Sequence, residues 1–498
     1  MRRIPRGLGF SLLIFTLGVT SVPSVRGAEV QEAWDAVFIS GAKVGFIHTF
    51  VEPLKENGKD LYRVRQDMEF TFKRLNDKVT IKTMYGTVET PEGSVLKLET
   101  RTLASNQQMT ATGSVINGKM TLTLDAGGQR QQVTMPWGAD VRGPYAAEQG
   151  LTRAPMKAGE TRELKMYVPD LNKICEVKLI ARSTEEVTLG DGKRPLLRID
   201  EVVSLNSKPL PEYNITLWVD QAGQVFKSRS EILGGLDIYR TTREGAQQGG
   251  GQATLDLTLN TIVKLRRKIS NPESRREVKY RVTLKDDAPG NLLPADRRQT
   301  LQPDAKDKSS ATLVVKTAGP NEGTAGPETV DAQYLRANTL VSSEDPTVKR
   351  YAANATVNVV DPWQKASQIT KWVAQNLKEK NFETTFAPAS EVAQTLSGDC
   401  TEHGVLVAAM CRAVNVPARV VVGLVYSDEL GGFGFHMWNE VYVNRRWVAV
   451  DAAFNQTEVD AVHVKLADTS LDGVAPYEAF LPVVRAIGKI TLDPLELR

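Results

Sequence analysis

The sequence predicts an α+β chain: a long β-rich part first, then helices set against a short antiparallel sheet. Three observations predict it. From about residue 30 to 245, apolar and polar residues alternate, as in YRVRQDMEFTFKRL, KVTIKTMYGTVET and VLKLETRTL, which is the period of half-buried strands. After about residue 330, apolar positions recur at helical spacing. From VPARVVVGLVY, residues 416–426, strand patterns return.

The 498 residues have room for two to four domains. The N-terminus stands apart. MRRIPR is basic, LGFSLLIFTLGVT is apolar, and Val25 and Gly27 are the small residues before a cleavage point. This is the pattern of a secretory signal peptide over 1–27, and the apolar run is short for a bilayer span. Export to the periplasm or the extracellular space is the expectation, with no membrane span after cleavage. Losing Arg2, Arg3, Arg6 and Arg26 takes the formal charge from +3 to −1. A nearly neutral mature chain gives no argument for nucleic acid as a partner.

Residues 28–245 read as an antiparallel β-domain with breaks at Asn57-Gly58, Pro91-Glu92-Gly93 and Asn117-Gly118. TVETPEGSVLKLETRT (87–102) echoes ITLWVDQAGQVFKSRS (215–230), each with a glycine, Gly93 or Gly223, between two strands. The echo suggests two related units. Residues 246–330 read as a small β-unit and linker: glycine- and glutamine-rich 243–252, then TLDLTLNTIVKL, REVKYRVTL and ATLVVKT. Lys264, Arg266, Arg267, Lys268, Arg275 and Arg276 read as a solvated strand face.

Residues 331–498 form the last domain. Asp361 caps a helix with Pro362 at its first position, and Ala366, Ile369, Val373 and Leu377 share its apolar face. Ser390 is expected to cap a short helix ending near Leu396. The next helix begins within SGDCTEHG, residues 397–404, and presents Val405, Ala408, Ala409 and Ala413 as its stripe.

Cys400 sits in that helix start, capped by Asp399 or Ser397. There the helix dipole and unpaired backbone N–H groups favour thiolate over thiol. Gly398 leaves room for something to approach. A thiolate nucleophile needs a histidine, and the chain has four. His436 lies in FHMWNEVYVNRRWVAVDAAF, residues 435–454. With Asn444-Arg445 as a two-residue turn, Val443 pairs with Arg446, Trp438 pairs with Asp451, and Asp451 is the diagonal neighbour of His436. Asp451 can then hold the imidazole in one tautomer.

GDCTEHG, PARVVVG and HMWNEVYVNRRWVAVD, in that order, resemble the transglutaminase-like superfamily over about residues 335–475. The resemblance implies a papain-like core with the Cys helix packed on an antiparallel sheet. It implies Cys400 as nucleophile, His436 as general base and acid, and Asp451 as orienting acid. It also implies a protein or peptide substrate. Hydrolysis, as in a cysteine protease or amidase, is slightly preferred over transfer to an amine, as in a transglutaminase. The rival expectation is a non-catalytic binding or assembly protein in which the β-rich region does the work. In the enzyme reading that region positions substrate or docks a protein partner.

Neighbouring residues have plainer readings. Cys175 and Cys411 read as core thiols, with a Cys175–Cys411 disulfide left open. Trp372 reads as core. Cys400-x-x-His403 lacks the second Cys/His pair of a closed zinc site, so no metal and no cofactor is expected. His48 and His463 read as surface or strand residues outside the site. Glu440 faces the side of His436, either as a supporting acid or as a solvated strand residue.

Overall fold

A computed structural model describes residues 30–74, 77–104, 107–126, 128–249, 255, 261–322, 328–377, 387–472, 479 and 481–498. The segment expected to be a signal peptide lies outside these, as does half of TLDLTLNTIVKL.

The alternating patterns before residue 245 form one sixteen-stranded sheet among the described residues. Its first eight strands run as an antiparallel meander from Gln31–Ile39 to Gln129–Pro136 at one edge. Gln31–Ile39 also pairs with Leu236–Thr241, from which the order runs back to Val141–Arg142 at the other edge. Asn57-Gly58 and Asn117-Gly118 take the left-handed conformations that two-residue hairpins need, with φ of +51° and +76°, and +50° and +71°. The sequence echo has a structural counterpart. Both hairpins shift register just before the turn, between Val88 and Glu89 and between Trp218 and Val219. The turn glycines Gly93 and Gly223 have φ of +86° and +77°.

Glu277–Leu284, Gln299–Pro303 and Ser310–Lys316 form three strands of a four-stranded sheet, and Ile490–Leu497 from the chain end adds the fourth. Most of the basic cluster lies exposed in the loop after Val263–Lys264, so its charges are solvated, although off a strand.

The C-terminal body stacks helices Pro346–Ala355, Pro362–Asn376, Ala389–Thr395 and Cys400–Ala413 against a five-stranded antiparallel sheet. In that sheet Val263–Lys264, Gly432–Val443, Ala418–Ser427 and His463–Thr469 lie side by side, and Arg446–Val450 pairs with Gly432–Val443. Asp361 caps its helix by accepting from the Gln364 N–H at 2.8 Å. Ser390 is not a cap: the Ala389–Thr395 helix has Pro388 at that position, and the Ser390 N–H donates to Ser342 Oγ at 2.7 Å. The Cys400 helix differs from expectation too. Every residue from Thr401 to Arg412 is buried, so the helix has no solvent face and its apolar stripe is only one of its contacts. Among the described residues no helix is long and apolar enough to cross a membrane.

Candidate active site

The Cys400 helix starts at a tight junction. Asp399 is its N-cap, its carboxylate accepting from the Thr401 N–H at 2.8 Å, while the Glu402 carboxyl accepts from the Asp399 N–H at 2.9 Å. This is a reciprocal capping box. Gly398 has φ +148°, and a Cβ there would run into the Cβ and Cγ of Glu402. The space expected for an approaching group is therefore filled by the helix's own capping side chain. Burial, reinforced by the Asp399 carboxylate, pushes the Glu402 carboxyl up to about 8. Cys400 is half-buried at the first helical position, one turn before Gly404.

The His436 strand supplies the rest. Asn444 and Arg445 have φ of +50° and +60°, and Val443 faces Arg446 across this two-residue turn. The pairing Asn439–Val450 then places Asp451 just beyond the end of its strand, near Trp438. His436 Nε2 donates to Asp451 Oδ2 at 2.6 Å. With Nε2 holding the proton, Nδ1 of the neutral ring keeps the basic lone pair. Asp451 Oδ1 accepts from the backbone N–H groups of Ala453 and Phe454, at 2.8 and 3.2 Å. Burial works to raise the Asp451 carboxyl, but the His436 and His463 imidazoles outweigh it and hold the group well below the usual carboxylate range.

Helix and strand are locked together at this end. Asn439 Nδ2 donates to the Gly404 carbonyl at 2.8 Å, and a Cβ on Gly404 would meet Met437 at 3.2 Å. The first turn of the Cys400 helix thus docks on the residues following His436. His403 marks the same proximity. Its Nδ1 donates to the Asp399 carbonyl at 2.7 Å, and its ring feels the fields of Asp451 and His436. Burial lowers the His403 imidazole below its ordinary value.

Two parts of the site escaped the sequence reading. Phe454, 49% exposed, lies with its ring centroid 4.8 Å from that of His436. His463 was placed outside the site, but it is 1% exposed and its Nε2 lies 3.1 Å from the Asp451 oxygen that His436 uses. Its Nδ1 lies 2.7 Å from Asp460 Oδ1. The D-x-x-H spacing of Asp460 and His463 was the only signal, and a strand pattern offered no reason to join it to Asp451 across twelve residues. The ligand-type atoms of His436, Asp451 and His463 all lie within 4.8 Å of one another. Each imidazole is already hydrogen-bonded to the shared carboxylate oxygen, an arrangement that suits protons.

Glu440 is not solvated. It is 3% exposed, with Lys465 Nζ at 2.8 Å and Arg419 at 2.6 Å. Asp468 pairs with both cations, and Arg419 lies 4.1 Å over the Trp447 ring. Against the penalty of burial, the two cations hold the Glu440 carboxyl down at about 2. Trp372 packs on the core, 4.7 Å from Tyr351. Cys175 and Cys411 are buried thiols in different apolar clusters, and neither forms a disulfide. Burial pushes them up to about 11 and 12.

Residues 349–452 match the family model of the transglutaminase-like superfamily, a span that contains Cys400, His436 and Asp451. The protein therefore pairs a large β-rich region with a C-terminal transglutaminase-like domain. No curated protein matches the chain. Solved structures similar to it include a candidate cysteine protease from Cytophaga hutchinsonii (15% identity, 45% of this chain and 89% of that one, TM-score 0.30). Others are a β-barrel-like DUF1849 protein from Brucella abortus (8%, 42% and 95%, TM-score 0.32) and the periplasmic domain of TgpA from Pseudomonas aeruginosa (16%, 36% and 73%, TM-score 0.24).

Proposed function

We propose that this protein is an exported thiol enzyme acting on protein or peptide amide bonds. The observation that carries the reading is the His436–Asp451 contact at the end of a hairpin on which the capped start of the Cys400 helix is docked. In this reading Cys400 Sγ, its proton passed to His436 Nδ1, attacks the amide carbon. The oxyanion that forms is stabilised by the Cys400 backbone N–H at the helix start. His436 returns the proton to the leaving amine, the C–N bond breaks, and a thioester remains. An acceptor then gives its proton to His436 and attacks the thioester, and Cys400 is released. Water as acceptor makes the enzyme a protease or amidase, which we prefer. A lysine amine would make it a transglutaminase, with the same residues in the same roles. The β-rich region would position the substrate or dock a protein partner.

The test is site-resolved alkylation of the purified mature protein with iodoacetamide at about pH 6, where an ordinary thiol near 8.5 reacts slowly. Cys400 alone labels fast in the wild type, and His436→Ala slows it to the rate of Cys175 and Cys411. Equal rates at all three thiols would overturn the reading and favour a binding or assembly role. Peptide cleavage lost in Cys400→Ala, without cross-linked product in the presence of amines, would separate hydrolysis from transfer.

A further inference from the structure

Asp451 is shared, and the residue sharing it sits in a closed ring of its own. Asp451 and Gln456 exchange two backbone hydrogen bonds at 2.7 Å. Gln456 Nε2 donates to Asp460 Oδ2 at 2.7 Å, and Asp460 Oδ1 faces His463 Nδ1. His463 Nε2 returns to Asp451. Each of these four residues thus meets the next through an oriented polar contact.

The proton inventory of this ring has one consistent solution. Both nitrogens of His463 face carboxylate oxygens, which accept when ionised. A proton shared along either of these contacts rests on the imidazole, ordinarily a much stronger base than a carboxylate. Asp451 receives two backbone N–H groups on Oδ1 and the His436 ring on Oδ2. Asp460 receives the Val462 N–H on Oδ1, at 3.1 Å, and the Gln456 amide on Oδ2. His463 must then hold both N–H groups, which makes it an imidazolium. The other groups around it agree with this. Arg298 spends its guanidinium on the Val459 and Asp460 carbonyls, and the Tyr280 hydroxyl donates to the Ala461 carbonyl. Trp438 and Phe454 pack against the His463 ring edge-on. The His436 ring centroid is 5.6 Å away.

Resting on the thiol-enzyme reading, we propose that His463 is a positioning residue for the reaction: a charged imidazolium clamped between Asp451 and Asp460 that fixes the Asp451 carboxylate and weakens the proton affinity of His436. The same direction follows from the two carboxylates, which outweigh burial and raise His463 above its ordinary value. A lone His–Asp pair would hold the imidazolium of His436 strongly. A second cation on the same carboxylate oxygen shares that charge, so His436 gives its proton to the leaving amine more readily. The device tunes a general acid through its partner rather than through its own surroundings.

Two measurements test it. In the wild type labelled with ¹³C,¹⁵N-histidine, the four ring systems are assigned by single His→Gln variants. Assigned by elimination from the His48, His403 and His436 variants, the His463 ring is expected to show two protonated nitrogens at pH 8, and a single N–H there would overturn the proposal, so His463→Gln itself need not fold. The second measurement is the pH profile of Cys400 alkylation by iodoacetate. This anionic reagent is drawn to the imidazolium, so its rate falls on the alkaline side as His436 loses its proton. His463→Gln keeps an N–H for one carboxylate and removes the charge. Its alkaline limb is expected to move to higher pH. An unmoved limb in a folded variant that still labels at Cys400 would sink the proposal. Iodoacetamide labelling that ignores His436→Ala would instead defeat the thiol-enzyme reading, while the ring-nitrogen result would still decide the charge on His463.

Discussion

Two glutamates on two sheets show how differently the halves of this molecule treat buried charge. Glu201, on a strand of the large sheet, is 5% exposed, and burial, with Glu148 nearby, pushes its carboxyl up to about 7. Glu440, on the His436 strand, is 3% exposed and is held at about 2 by Lys465 and Arg419. The residue type and the burial are the same, and the partners differ. The large sheet carries most of its ion pairs on solvent-facing positions, such as Arg63–Glu52. The C-terminal sheet buries them in a network and places the candidate site beside it. The lesson is that burial alone does not set a carboxyl's proton affinity; the cations within contact distance do.

The sharpest break of this comparison concerns the thiols. Cys400→Ala should lower amide-bond activity by roughly 10⁴-fold or more, whereas Cys175→Ala in the large sheet should leave it within about twofold. Steady-state assays with a cleaved peptide decide it. Next in size is the buried network. At pH 8, Glu440→Gln should destabilise the C-terminal body by about 3–5 kcal/mol, since it leaves Lys465 and Arg419 underpaired. Because the folded Glu440 carboxyl lies below its unfolded value, the stabilisation is present above about pH 4.5 and fades as pH falls towards 2. Denaturant unfolding followed by region-resolved hydrogen exchange would show it, and an equal loss at pH 8 and pH 2.5 would contradict it.

Gly398→Ala follows, with an expected loss of about 2–3 kcal/mol, because the new methyl meets Glu402 and φ is positive. Gly58→Ala in the large sheet has open space and should lose only about 1 kcal/mol. For Glu201→Gln the sign reverses. The folded carboxyl lies above its unfolded value, so stability is lost as pH rises from about 4.5 through about 7. The glutamine variant should therefore match the wild type at pH 4 and exceed it by up to about 3 kcal/mol at pH 8. Smallest of all, Glu52→Gln should change stability by less than about 1 kcal/mol, as solvent-facing pairs do.

Some of the site was legible because its geometry is local. The turn at Asn444-Arg445 fixes a register, and a register fixes which residues are opposite, so the meeting of His436 and Asp451 follows from sixteen consecutive residues. The capped start of the Cys400 helix likewise follows from Asp399 and Glu402, three apart. Gly398 was misread because a glycine states only that a side chain is absent; which atoms fill the space depends on where Glu402 folds back. His463 was misread because its strand reaches the site through Ala418–Ser427, a neighbour in space. Glu440 was left undecided because its cations come from two other strands of the sheet.

By itself the sequence determined the alternation of the large sheet, the turns, the Asp361 cap, and the order Cys400, His436, Asp451. These depend on residues a few positions apart, whose backbone preferences and periodicity operate before any tertiary contact forms. Only the tertiary structure decided that the Cys400 helix is buried on every side, that Glu440 is ionised within a cation network, and that Asp451 serves two histidines. Each of those depends on which distant groups share a low-dielectric interior, where one nearby charge outweighs every local propensity.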